Sequence, residues 1–574
     1  MKVTASCARF GLVLVLTPLC VQGAVRQPPP RDVARAPNAS RSCSISGRVI
    51  AADTRRPLSE ALVTLSSAPP PDVPGTGVTY SRQHATNAQG AFEFKNIPPG
   101  AYRLRGAPGV VAQQYLAMSY GARRPTADIG DRIVLEPGQV IENVTIVLPR
   151  GAVISGRITD DVGDPFPAVQ VFALWFPGPG ARGQRFGASV QTDDLGRFRM
   201  FGLLPGEYVV VADASRDRSD VPSDSSEESR VDFLTTYYPG TPDLAAAQRV
   251  RTITSRETPG IDLLVVRGRT HTIAGTVTDS RGRPAAFALG LLDHAATNGA
   301  SPAGRFSTNE RGEFTLGHVA PGRYLFRAVQ SQNGAEREGE QDLEVLSTPI
   351  EIGESDVEGL VLSTRPPVTI TGAIVFEQGR PATLPSRLQV LATTIEPGAN
   401  FRPPQPAQVR PDLTFTLKGL TSEYLLRTIA TGWFLKSVVI GSEDITDTLR
   451  QFKPEDHVTI VLSSRGSTLE GTVTDSKGTP ASDVGVIMFA EDPAGWMTSS
   501  VRMHRSLPDP TGKFKIFGLL PGRYYVVAGS RERVFQPGLV ARSYFEELAK
   551  HAIIITIGEN EKRVIDLRIR DGQP

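Results

Sequence analysis

Phe201–Ala212 reads FGLLPGEYVVVA, and Phe517–Ala528 reads FGLLPGRYYVVA. In each, Pro fixes the first central residue of a turn and Gly supplies a positive φ at the second, which predicts a type II turn. After the turn, Tyr208, Val210 and Ala212 alternate with Val209 and Val211, the period-two signature of a strand. The corner recurs as Pro99-Gly100, Pro205-Gly206, Pro321-Gly322 and Pro521-Gly522. A fifth position carries Ser422-Glu423 before Tyr424 and is degenerate.

The pattern extends upstream. Asn87 to Gly90, Asp193 to Gly196, Asn309 to Gly312 and Asp509 to Gly512 each place an Asx three residues before a Gly. The Asx side chain accepts from the backbone, and the Gly closes the hairpin in the left-handed region. Two residues later stand Phe92, Phe198, Phe314 and Phe514; the fourth copy keeps Phe415 but has Leu413 for the Gly. Apolar positions then repeat, with Phe198, Met200 and Leu203 matching Phe514, Ile516 and Leu519. These residues and Tyr208 fall on one face at period two and are expected in the core.

Each copy opens on a strand: Ile45-Ser-Gly47-Arg-Val49, Ile154 to Ile158, Ile273 to Val277, Ile370 to Ile374 and Leu469 to Val473. Each closes on another, such as Val144-Thr-Ile146-Val-Leu148 or Val458-Thr-Ile460-Val-Leu462. Short strands punctuated by turns predict an all-β chain: a tandem array of about five seven-stranded antiparallel β-sandwich domains. The expected units are 43–150, 151–267, 268–366, 367–463 (degenerate) and 464–574. Links such as Pro149-Arg150-Gly151 are short, which predicts a semi-rigid rod.

Composition agrees. The 574 residues carry a net charge of +2, and 55 Gly and 46 Pro fit turns better than long helices. No field of one sign points to nucleic acid or a membrane surface. Lys2 and Arg9, the apolar run Phe10 to Val21, and small residues at Gly23 and Ala24 predict a signal peptide over 1–23. The run is too short, and too broken by Pro18, for a membrane span. A lipid anchor at Cys20 is disfavoured by Leu19 before it. Residues 24–42, rich in Pro and Arg, are expected to form a disordered leader. With Cys7 and Cys20 removed, Cys43 has no partner, so the mature chain is expected to lack an internal disulfide. The expected location is extracytoplasmic: periplasmic, cell-surface or secreted.

ISGRVIAAD (45–53) and TNAQGAFEFKNIPPGAYRLRG (86–106) resemble the carboxypeptidase regulatory-like domain. That resemblance implies a transthyretin-like (prealbumin-like), carbohydrate-binding-like sandwich, in five tandem copies over nearly all of 43–574. In metallocarboxypeptidases the module accompanies a zinc peptidase domain; no zinc motif stands here. The related collagen-adhesin B-type domain can carry an internal Lys–Asn or Lys–Asp bond. No Lys lies between Lys95 and Lys418, so the second and third units cannot form one. The module also resembles one preceding some outer-membrane transporter barrels.

No enzyme constellation is evident, and no cofactor or metal is expected. The seven His are scattered, without a zinc-binding pair, and are expected on the surface or in loops. The acidic stretch Ser219–Ser229 reads as a solvated loop, with Asp220 and Asp224 too few to fix a cation. The remaining candidates are aromatic: Trp175, Phe176, Tyr237, Tyr238, Trp496 and Tyr544, in loops beside the strands. An exposed ring suits the C–H face of a sugar; a ring folded back seals a sandwich edge or a domain junction. The function expected is an exported, non-catalytic binding or scaffold protein of the cell envelope. Its partner would be a polysaccharide or another envelope protein, not nucleic acid. The alternative is a structural spacer or protein-interaction array with no glycan ligand.

Overall fold

The computed structural model describes residues 42–569, apart from 69–79, 126–129, 177–180, 183–184, 215–230, 288–289, 295–301, 330–343, 395–402, 482–483, 498, 510, 536–538 and 541. The expected signal peptide, the expected leader up to residue 41 and the whole acidic stretch 219–229 lie outside the described residues. The chain is all-β, and among the described residues ten of its twelve sheets fall into five successive pairs, the other two being two-stranded.

The third pair shows the plan. Glu313–Val319, His271–Thr278 and Val357–Ser363 form one sheet, in that order. Pro302–Phe306, Gly290–His294, Gly322–Val329 and Val345–Ile352 form the other. The inner faces meet in a core that includes Ile273, Val277, Phe314, Leu316, Tyr324 and Phe326. Phe198 and Tyr208 are likewise buried in the second unit's core.

Within this antiparallel architecture the first strand of each unit pairs in parallel with the closing stretch of that unit, through a single strand in four units and through the two short strands Glu257–Thr258 and Leu263–Leu264 in the second. Cys43–Ala51 pairs so with Val140–Leu148, and Ser467–Thr474 with Lys562–Arg568. Seven strands that reverse at each connection leave the seventh running like the first. The chain therefore exits each unit at the end opposite its start. The approach is close. A Cβ on Gly47, Gly275, Gly372 or Gly471 would fall inside the contact radius of a last-strand carbonyl oxygen, and one on Gly156 inside that of Ile261 O, between the two short closing strands, which accounts for the glycine in each first strand.

The corners obey the sequence in chemistry but not in turn type. Gly100, Gly206, Gly322 and Gly522 have φ of 150, 152, 158 and 154°, far from the value near +80° of a type II turn. Each glycine already belongs to the following strand, in an extended conformation that L-residues avoid. The tyrosine two residues on locks the corner. Tyr102, Tyr208, Tyr324 and Tyr524 donate their hydroxyls to the carbonyls of Pro98, Leu204, Ala320 and Leu520 at 2.7–2.9 Å. In the degenerate copy the Tyr424 hydroxyl meets Thr421 Oγ1 at 3.3 Å instead.

The hairpins follow the expected Asx chemistry; Asp193 Oδ1, for example, accepts from Leu195 N at 3.0 Å and Arg197 N at 2.7 Å. Leu413 adopts φ of 70° without being glycine. Its side chain packs on the fourth core, so burial offsets a left-handed cost of about 1–2 kcal/mol.

Ala181–Arg182 of the second unit pairs with Leu539–Val540 of the fifth. A semi-rigid rod whose units touched only their neighbours in the chain would not make this contact.

Candidate functional site: junctions and outer sheet faces

Inner faces repeat from unit to unit; junctions and outer faces do not.

At the first junction, Gly151 N donates to Gln114 O and Leu116 N to Pro149 O, both at 2.8 Å. Tyr115 donates to Asp53 Oδ1 at 3.0 Å, and Arg150 lies 3.5 Å from the same carboxylate. At the second, His318 Nδ1 sits 3.2 Å from Asp232 Oδ2.

The junction between the fourth and fifth units is the most fully tied. Arg427 and Asp447 of the fourth pair at 2.7 Å. Arg427 Nε also donates to Ser499 O at 2.7 Å, while Ser500 Oγ and Val501 N donate to Asp447 at 2.6 and 3.1 Å. Val501 packs against the fourth core, and the Phe434 ring lies against Gly466 and Gly518. Burial pulls the Arg427 guanidinium below its usual range, and the Asp447 charge opposes that shift.

His504, in the strand His504–Ser506, stands beside this junction. Its Nε2 is buried without a hydrogen-bond partner, and burial pushes the imidazole down to about 4. His271 is buried too, 3.6 Å from Asp356. These two depart from the expected surface or loop placement because each lies on a strand that a neighbouring segment covers. The side chain of His294 lies outside the described residues.

Four of the six aromatic candidates, Phe176, Tyr237, Trp496 and Tyr544, pack over outer faces; Trp175 and Tyr238 pack at the edge of the inner core. In the second unit Leu174, Val209 and Val211 form an apolar patch closed by Tyr237, itself 3% exposed. Phe176 packs at the rim, with the Arg249 guanidinium 4.5 Å over its ring. Trp175 and Tyr238 are half-buried against the edge of the core, and Gly206 lies under Trp175 Nε1. In the fifth unit Ile487, Phe489 and Val527 are covered by Val534, Tyr544, Phe545 and Leu548. Tyr544, 3% exposed, was expected in a loop; it lies on the helix Arg542–Ala549, whose inward positions are Tyr544, Phe545 and Leu548. Trp496 is half-buried. It donates to Ala490 O at 2.8 Å, stacks on Phe545 with centroids 5.9 Å apart, and has Arg542 5.7 Å from its ring.

The outer faces of the first and third units carry polar and charged residues. The third unit buries an Asp293–Arg327 ion pair there. The first bears Thr64, Ser66, Arg103 and Arg105. Sequence reasoning missed these, because an outward Arg in an alternating strand reads as an ordinary solvated position.

Among the described residues no three or more His, Cys, Asp or Glu side chains converge as a metal site. Among them, too, no helix is long and apolar enough to cross a membrane. Cys43 is buried, and its Sγ donates to Glu136 O at 3.1 Å.

No protein-family model matches the chain, and a search of curated proteins found no relative. Among solved structures it is similar to BcpA, the major pilin subunit of Bacillus cereus, at 13% identity over 53% of this chain and 99% of that one, with a TM-score of 0.15. It is similar to GBS52, the minor pilin of Streptococcus agalactiae, at 15% identity over 39% and 97%, with a TM-score of 0.22. The Bacillus anthracis TIE protein matches at 12% identity over 70% and 69%, with a TM-score of 0.13.

Proposed function

We propose that this chain is an exported, non-catalytic scaffold of the cell envelope. It holds β-sandwich units in defined relative positions and presents their outer faces to a polysaccharide. The observation that carries the scaffold reading is the Arg427–Asp447 pair of the fourth unit, which also bonds Ser499, Ser500 and Val501 of the next unit. A flexible string would not need a largely buried ion pair at a link, since desolvating charges is costly unless they are paired and bonded. Glycan contact at the aromatic set centres on Trp175 and Trp496, both half-buried; Tyr238 packs on the same core edge as Trp175, and Phe176 lies on the opposite face of the Trp175 strand. Tyr237 and Tyr544 act through the covers they close.

The second reading is a spacer or protein-interaction array with no glycan ligand. It is favoured by the commitment of Tyr237 and Tyr544 to packing. A panel of soluble and insoluble polysaccharides, with Trp175→Ala and Trp496→Ala beside the parent, separates the two. Binding that weakens in a folded variant supports a glycan-presenting scaffold; no binding to any polysaccharide supports the spacer.

A further inference from the structure

The outer face of the first unit differs in kind from the covered faces of the second and fifth. Ser81–Ala85, Leu62–Ser67 and Gly100–Ala107 lie side by side in its second sheet, with Met118–Ser119 and Ile133–Leu135 beyond. Register places Ser81, Ser66 and Arg103 in one cross-strand row, and Gln83, Thr64, Arg105 and Ser119 in the next. Tyr102 pairs with Ile133, so continuing that antiparallel register sets Arg132 opposite Arg103. Ser81, Gln83, Arg105 and Arg132 are exposed; Thr64, Ser66, Arg103 and Ser119 are half-buried.

Three guanidinium groups therefore share one flat face. Among the described residues no carboxylate pairs with Arg103, Arg105 or Arg132. Arg103 Nε is buried with no hydrogen-bond partner. Burial and the neighbouring Arg132 charge both lower the Arg103 pKa. Like charges held together without a counter-charge raise the free energy of the free protein, and an arriving anion relieves it.

We propose that this face binds an anionic polysaccharide through its carboxylates. Arg103 and Arg105 are two residues apart on one strand, about 6–7 Å, and strands are about 4.8 Å apart. This grid of planar forks can grip successive acidic groups, since a guanidinium matches a carboxylate bidentately. Thr64, Ser66, Ser119 and Gln83 offer short hydroxyl and amide groups to sugar hydroxyls between them. An acidic protein fits less well, because an interface core wants clustered apolar or aromatic anchors. The exposed apolar residues here, Leu62 and Val134, pair with Ala107 and Ala101, six residues apart along one strand, or about 20 Å.

This inference rests on the glycan reading above, and its test separates the two. Polygalacturonate, neutral dextran and poly-L-glutamate are titrated against the full chain, the single Arg→Ala variants and R103A/R105A/R132A, with folding checked by circular dichroism. The expected result is binding of polygalacturonate but not dextran, weakened by salt, and about tenfold weaker for each Arg→Ala change. Undiminished polygalacturonate binding by the folded triple variant overturns this site and leaves the glycan reading standing. Poly-L-glutamate bound as tightly as polygalacturonate overturns the commitment to a polysaccharide. If neither polygalacturonate nor dextran binds, this site is overturned; if the wider polysaccharide panel is also negative, the glycan reading falls with it.

Discussion

Ser500 Oγ donates to Asp447 Oδ2 at 2.6 Å, across the boundary between the fourth and fifth sandwiches. That carboxylate also holds Val501 N and Arg427, so one side chain links the fold of one unit to the position of the next. Asp447→Ala strands the Arg427 guanidinium, only 15% exposed, without its counter-charge. The expected cost is about 3 kcal/mol, and denaturant unfolding followed by Trp fluorescence measures it. Asp447→Asn, which can still accept from Val501 N, is expected to lose about half as much.

Gly471→Ala should be among the most damaging single changes. The added methyl would collide with the Ile565 carbonyl, and a backbone strand cannot yield as a flexible side chain can. A loss of about 3 kcal/mol or more is expected at this overpacked contact. Gly317→Ala is the control, because nothing lies within 4 Å of its Cβ. Thermal melts of the two should differ clearly, with Gly317→Ala near the parent.

The tyrosine corners give a graded test. Tyr524→Phe removes a buried bond of 2.7 Å to Leu520 O and leaves that carbonyl short of a partner. It should cost about 1–2 kcal/mol. Tyr424→Phe removes only the 3.3 Å contact with Thr421 and should cost measurably less. Equal losses would mean that ring packing, common to both variants, decides the corner.

His504 makes the fifth unit acid-sensitive. Burial holds its folded pKa at about 4, against about 6.5 in an unfolded chain. The unfolded chain therefore takes up the proton first. Stability from this residue is present above pH 6.5 and is lost as pH falls from about 6.5 to about 4. Urea midpoints across that window should drop for the parent and flatten for His504→Gln.

The inner half of this protein was legible in its sequence. Phe198, Met200 and Leu203 announce a strand because burial on one face imposes period two, and Asp193 announces its hairpin because the turn bonds are local. The parallel pairing of first and last strands carries no comparable local signal, although the glycine of each first strand records it. The helix Arg542–Ala549 is only eight residues long, with three inward positions, too few for periodicity to stand out. The junction was invisible for a different reason. Arg427 finds Asp447 and Ser499 at separations of 20 and 72 residues, and each is an ordinary polar residue where it stands in the chain. The aromatic candidates were found by residue type, but which rings close a cover depends on the outer-face residues beneath them, such as Val209 and Phe489.

The central claim is that neighbouring units are docked rather than loosely strung, and a distance distribution tests it most directly. Spin labels on cysteines replacing the exposed Lys418 and Lys513, with Cys43→Ser, report on the fourth and fifth units by pulsed electron-electron resonance. A single narrow distance in the parent that broadens in Asp447→Ala is the predicted result. A broad, multi-peaked distribution in the parent itself would contradict a fixed scaffold and leave a flexible string of sandwiches.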